Sequence, residues 1–123
     1  MTRPKTTAES ITRHDNPSGR EGTFDLSIGG KRLGHLVYSL AEKGTLTIDY
    51  VHVDPSLRGQ GMGQKLVAAA VDWARDRHAS IVTLRVAVDN TVARSVYESL
   101  GFTPVPGEGV NARDEVPMSL SVR

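Results

Sequence analysis

The run Arg58-Gly59-Gln60-Gly61-Met62-Gly63 joins a strand-like segment to a helix-like one, with a glycine at every second position. Glycine removes side chains where a backbone must pass close to something, and it permits left-handed turns. The helix that starts here turns its unpaired N–H groups and the positive end of its dipole toward the same spot. Together these features describe a cradle for phosphate oxygens. Arg58 opens the loop and Lys65 follows in the first helical turns, both suited to anionic oxygens. A glycine-rich turn that holds no ligand satisfies the same local pattern.

Two well-known phosphate loops do not fit. The P-loop needs Gly-Lys-Ser/Thr, whereas Gly63 is followed by Gln64-Lys65-Leu66. The dinucleotide fingerprint begun at Gly61 needs a glycine where Leu66 stands. A third pattern does fit. The segment Val53-Asp54-Pro55-Ser56-Leu57-Arg58-Gly59-Gln60-Gly61-Met62-Gly63 resembles the acetyl-CoA signature of the GNAT superfamily of N-acetyltransferases. That signature reads Arg/Gln-x-x-Gly-x-Gly/Ala after a strand and a short Pro-containing turn. A second block follows in order, Asn90-x-x-Ala93-x-x-x-Tyr97-x-x-x-Gly101-Phe102, and it resembles the family's Asn-x-x-Ala-x-x-x-Tyr-x-x-x-Gly-Phe. The resemblance covers roughly positions 46–105.

Composition narrows the alternatives. A chain of 123 residues, 38% hydrophobic and 24% charged, suits one globular domain with one core. A net charge of +1 gives no bulk electrostatic reason to bind nucleic acid. The lack of cysteine excludes a disulfide framework, thiolate metal sites and a cysteine nucleophile. His14, His35, His52 and His78 show no ligand spacing, so no metal is expected. No apolar run reaches the ~20 residues of a membrane span, and no secretory signal is visible at the N-terminus. The expected location is cytoplasmic.

Residues 1–20 read as a polar, flexible N-terminal arm, and 21–123 as a single GNAT-like acetyltransferase domain. Period-2 alternation predicts strands over 22–28, 32–40 and 45–53, joined by turns at Gly29-Gly30 and Glu42-Lys43-Gly44, in an antiparallel meander. Helical spacing over 61–78 puts Leu66, Val67, Ala70, Val71 and Ala74 on one stripe. The β-branched run 81–88 should return parallel to the third strand. Asn90 is a helix cap for about 91–100, Gly101 suits the left-handed position beyond it, and 102–105 and 116–122 are closing strands. Residues 106–111 read as a mobile turn. The fold class is α/β (α+β): a mixed sheet with an N-terminal antiparallel meander, then strand–helix–strand–helix, then closing strands. Family members typically carry two helices before the glycine loop. This chain shows strands there, and so resembles a compact member with an open acceptor side.

The resemblance implies an acetyl-CoA-dependent N-acetyltransferase that moves acetyl directly to a primary amine in a ternary complex. The donor substrate is acetyl-CoA, and the acceptor is an unidentified small-molecule or protein amine. Backbone groups of Gly59, Gln60, Gly61, Met62 and Gly63, with Arg58, would hold the pyrophosphate of coenzyme A. The backbone of Val51 and Val53 would pair with the pantetheine arm if the third strand and the Ile81 strand splay apart. The N–H of Val53 would then face the oxyanion. Tyr97 matches the tyrosine placed near the thioester sulfur, and Asn90 is both a cap and a cofactor contact. Asp49 is the candidate general base, with His52, His35 and Glu42 as alternatives and Tyr50 as an acceptor-lining residue. A non-catalytic acyl-CoA-sensing module is the competing reading. No membrane or nucleic-acid partner is expected, and pairing as a homodimer stays open.

Overall fold

The computed structural model describes residues 9–41 and 44–123. Seven strands form one sheet in the order β1-β2-β3-β4-β5-β7-β6. They are β1 (Glu9–Asp15), β2 (Glu21–Ile28), β3 (Lys31–Ala41), β4 (Thr45–Val53), β5 (Ile81–Ala87), β6 (Thr103–Pro104) and β7 (Glu115–Ser121). Two helices, α1 (Met62–Asp76) and α2 (Thr91–Ser99), follow β4 and β5. Every neighbouring pair is antiparallel except β4 and β5, as expected for a strand reached through a helical crossover.

The meander, both helices and the closing strands lie where the sequence pattern puts them, within a residue or two. The start of the chain differs. The sequence pattern puts residues 9–15 in a flexible arm, but they form β1, paired with β2 from Glu9↔Ile28 to Asp15↔Gly22. The alternation signal is missing because only Ile11 in this strand is even half-buried. Backbone bonds and a few specific contacts hold β1 in place. Lys65 Nζ meets Glu9 Oε2 at 2.7 Å, and the Arg13 guanidinium lies 4.5 Å from the Trp73 ring centre. A charged, polar edge strand also resists pairing with other chains. Residues 1–8, Glu42 and Lys43 lie outside the described residues, and so does most of the turn expected at 42–44.

The α1 stripe Leu66, Val67, Ala70, Val71 and Ala74 is buried as expected, together with Met62. It packs on Phe24, Leu26, Leu36, Tyr38, Leu46 and Ile48. Trp73 packs against Tyr38 at 4.9 Å and Phe24 at 5.9 Å, with Arg77 also over its ring at 4.8 Å. The helix ends in a Schellman arrangement: Ala79 N–H donates to Ala74 and His78 N–H to Arg75. His78 takes the left-handed position there, at φ 61°.

Tyr38 is fully buried and donates its hydroxyl to Asp15 Oδ1, tying β3 to β1. Burial, and then the Asp15 carboxylate, raise its phenol pKa above the ordinary value of about 10. The folded state therefore holds this proton more tightly than the unfolded chain does. That stabilisation is complete below about pH 10 and is lost as pH rises toward the folded-state value. Unfolding midpoints measured from pH 8 to 12 should fall at the alkaline end. Tyr38→Phe should flatten that fall while lowering neutral-pH stability by about 1.5–3 kcal/mol, the scale of a hydrogen bond to a charged group. An unchanged alkaline slope in the variant would contradict the assignment.

Candidate active site

At the end of β4, Asp54 caps a short 3-10 turn, Pro55–Leu57. The Ser56 hydroxyl and N–H both donate to its carboxylate, at 2.6 and 2.9 Å, and hold its pKa below the usual carboxylate range. Gly59 and Gly61 then have φ of 80° and 77°, a region costly for any side chain. Gly61 is the N-cap of α1 and has no side-chain capping bond. Gly63 is different. It lies within the helix, and a Cβ there would meet only Val53 Cγ2 at 3.8 Å, so the fold itself does not require glycine.

The first bond of α1 runs from Lys65 N–H to the Gly61 carbonyl. Among the described residues the N–H groups of Gly59, Gly61, Met62, Gly63 and Gln64 have no intramolecular acceptor. They form a cluster of unpaired donors at a helix N-terminus, the arrangement that binds phosphate oxygens. Arg58 and Gln60 are exposed at its rim, and Gln60 Nε2 reaches the Ser56 carbonyl at 3.4 Å. Lys65 is turned away to Glu9.

β4 has a second feature. It pairs with β5 only from Thr45↔Ile81 to Ile48↔Leu84. On its other side it stays with β3 as far as Val53, with a register shift between Val37↔Tyr50 and Tyr38↔Ile48. Asp49 is thus the extra residue of a β-bulge, placed where β4 leaves β5. The bulge also reverses the alternation: Leu46 and Ile48 face α1 before it, and Val51 and Val53 after it.

Asp54 N–H donates to the Leu33 carbonyl at 2.7 Å. In this register Asp54, His52 and Tyr50 therefore spend their backbone groups on β3. Those of Val51 and Val53 point the other way, into the opening between β4 and β5. Beyond Ile48 and Leu84 the two strands are no longer paired, and β4 keeps a free strand edge along the opening.

Tyr97 is half-buried on α2, its ring 6.1 Å from Phe102 in an edge-on contact. Burial pushes its phenol pKa up, which keeps it protonated. Among the described residues its hydroxyl makes no hydrogen bond. Asn90 caps α2, its Oδ1 accepting from Ala93 N–H at 3.1 Å, which leaves its amide NH₂ as the group open to a ligand. The alternative base candidates gather on the helix-free face beside β4. His35 lies 5.5 Å from Tyr50 and 5.7 Å from His52, and Tyr50 is 54% exposed. Glu42 is outside the described residues. No group of His, Asp or Glu fit to hold a metal occurs among the described residues. Among the described residues no helix is long and apolar enough to cross a membrane.

Sequence reasoning missed the walls of a cavity on this face. Arg85, Glu108, Arg113 and Glu115 line it together with Asp49. Outward alternation in β5 marks Arg85, but nothing local shows that β7 and residues 105–113 fold beside it. The stretch read as a mobile turn carries its own bonds. Asn111 Oδ1 accepts from the N–H groups of Arg113 and Glu115, and Asn111 Nδ2 donates to Glu115 Oε1 at 3.1 Å.

The sheet is mixed and forked between its two parallel strands, with a donor-rich helix N-terminus beside the fork. Comparison with known proteins gives this architecture a family. The acetyltransferase (GNAT) family model matches residues 2–102, and the chain belongs to this family. It is 32% identical over 88 residues to an uncharacterized N-acetyltransferase of Methanocaldococcus jannaschii, covering 67% of this chain and 39% of that protein. The chain spans well under half the length of the curated relatives it matches. Among solved structures, the ribosomal-protein-S18-alanine N-acetyltransferase of Escherichia coli superposes with a TM-score of 0.79 at 20% identity, covering 94% of both chains. The PaiA N-acetyltransferase of Thermoplasma acidophilum, determined with coenzyme A, superposes with a TM-score of 0.73 at 15% identity, over 83% of this chain and 61% of that one.

Proposed function

We propose that this protein is an acetyl-CoA-dependent N-acetyltransferase acting directly on a primary amine in a ternary complex. The observation that carries the reading is the fork between β4 and β5, opening beside the unpaired N–H groups of Gly59, Gly61, Met62, Gly63 and Gln64. The cluster and Arg58 take the pyrophosphate of coenzyme A, with Gln60 at the rim. The pantetheine arm lies along Val51 and Val53 as an added strand, a mode in which main-chain bonds supply affinity. Asn90 contributes its amide NH₂ to the same arm.

The thioester carbonyl then lies near Val53, whose N–H stabilises the oxyanion. Asp49, at the mouth of the fork, takes a proton from the acceptor's ammonium, directly or through water, so that the neutral amine can attack. Tyr97, kept protonated by burial, supplies a proton or hydrogen bond to the departing thiolate. No acetyl-enzyme is needed, in keeping with a chain that lacks cysteine.

The test is release of coenzyme A thiol from acetyl-CoA with a panel of amines: amino acids, polyamines, aminoglycosides and peptides. Amine-dependent release supports the reading, with intersecting initial-velocity lines for a ternary complex. Parallel lines would contradict direct transfer. Tight coenzyme A binding with no release for any amine would favour the sensing module instead.

A further inference from the structure

The open face of the sheet carries a cavity of about 580 Å³ between β4, β5, β7 and the segment 105–113. Its floor is a row of hydroxyls in register across three strands, Thr47 beside Thr83 and Thr83 beside Ser119. The Thr47 and Thr83 Oγ1 atoms are 3.2 Å apart. One end of the cavity is the fork, because Asp49 and Leu84 both line it. Arg85, the first β5 residue beyond the last pairing with β4, stands at that end, and Arg113 reaches in from the loop. Among the described residues neither guanidinium makes an ion pair or hydrogen bond, and neither does the side-chain carboxylate of Asp49 or Glu108. Glu115 is engaged with Asn111.

We propose that this cavity is the acceptor site and that it selects small zwitterions, amines that also carry a carboxylate or similar anionic group, as a free amino acid does. The inference rests on the acetyl-transfer reading above. The reacting amine must come to the fork, where Asp49 attracts its ammonium form and takes its proton. Its nitrogen then bonds to the acetyl carbon and loses a second proton to water, the carbon–sulfur bond breaks, and the thiolate sulfur gains a proton from Tyr97. With the ammonium at Asp49, the planar donor forks of Arg85 and Arg113 are left facing the rest of the molecule, and they pair best with a carboxylate. The hydroxyl floor suits a polar body. The volume is that of a small-molecule site, roughly 300–1,000 Å³. A polyamine would place its further cations beside two arginines, with Glu108 the one other unengaged carboxylate to meet them, and an internal lysine of a protein brings no anionic group of its own.

The experiment compares acetyl transfer to free amino acids, to their C-terminal amides and to spermidine, for the unaltered protein and for Arg85→Gln and Arg113→Gln. Free acids should exceed their amides in kcat/KM by about tenfold or more, with spermidine poor, as expected when a charge-assisted pair is lost. At least one arginine variant should raise KM for the acid about tenfold and erase its advantage over the amide, with KM for acetyl-CoA unchanged. Both arginines lie on the exposed face, away from the core. Stabilisation by coenzyme A, measured on the same samples, reports folding and the cofactor site independently. Equal treatment of acids and amides, whether both react or neither does, overturns the inference while leaving the coenzyme A site standing. Loss of coenzyme A binding in the unaltered protein overturns both.

Discussion

Tyr97→Phe should fold normally, bind coenzyme A as before, and transfer acetyl about a hundredfold more slowly, the low end of the loss when a positioned proton donor is removed. The two side chains differ by one hydroxyl. The ring keeps its contact with Phe102, and the Phe102 N–H still donates to the carbonyl of residue 97 at 3.0 Å. The hydroxyl makes no bond within the described residues, so its removal leaves no partner stranded. The loss should fall on kcat, with KM for acetyl-CoA nearly constant, because the interaction matters most as the sulfur gains charge. Desolvation raises the phenol pKa, so the donor stays protonated at neutral pH, and a rate decline from its ionisation belongs above about pH 10. Unchanged kinetics would remove Tyr97 from the mechanism.

Gly22→Ala should be the most damaging small substitution for stability, by about 3 kcal/mol, a large value for overpacking. Gly22 pairs with Asp15 on one side and Tyr38 on the other. A Cβ at this position would collide with the main-chain oxygen of His14 and the Tyr38 hydroxyl, and would lie 2.7 Å from Tyr38 Cζ. The Tyr38 ring is fully buried against Trp73 and Phe24, so β1 has to give way, and the bond to Asp15 is lost with it. A fall in Tm on the order of 10 °C should follow for a domain of this size. Gly109→Ala is the control: it has open space and no left-handed φ, and should change little. A Gly22→Ala protein as stable as the control would contradict the packing described for β1.

Legibility from sequence follows how local each signal is. The meander, both helices and the β5 return show themselves through periodicity, because each buries one regular face. The glycine loop reads as a cradle because two of its glycines are demanded by backbone conformation and the helix start supplies the donors. β1 was not legible, since its register rests on main-chain bonds and on partners 7 to 60 positions away, from Gly22 beside Asp15 to Trp73 beneath Arg13. The bulge at Asp49 was not legible either. Thr45 to Val53 looks like one uninterrupted strand, and only the pairing shows that its alternation reverses midway. Asp49 stood out as an acidic residue near the fork, but its place at the point of divergence comes from that reversal. The arginines of the cavity belong to segments far apart in sequence, so only the folded sheet brings them together.

The central claim is that the fork and the N–H cluster hold coenzyme A. Thermal unfolding with acetyl-CoA, coenzyme A or ATP, each at about 1 mM, tests it most directly, because a ligand that binds only the folded state must raise the unfolding temperature by mass action. The account predicts a clear rise with both coenzyme A forms and little with ATP, which has phosphates but no pantetheine arm to lie along Val51 and Val53. No shift with either coenzyme A form would contradict it, and an equal shift with ATP would leave a phosphate cradle without the strand-pairing site.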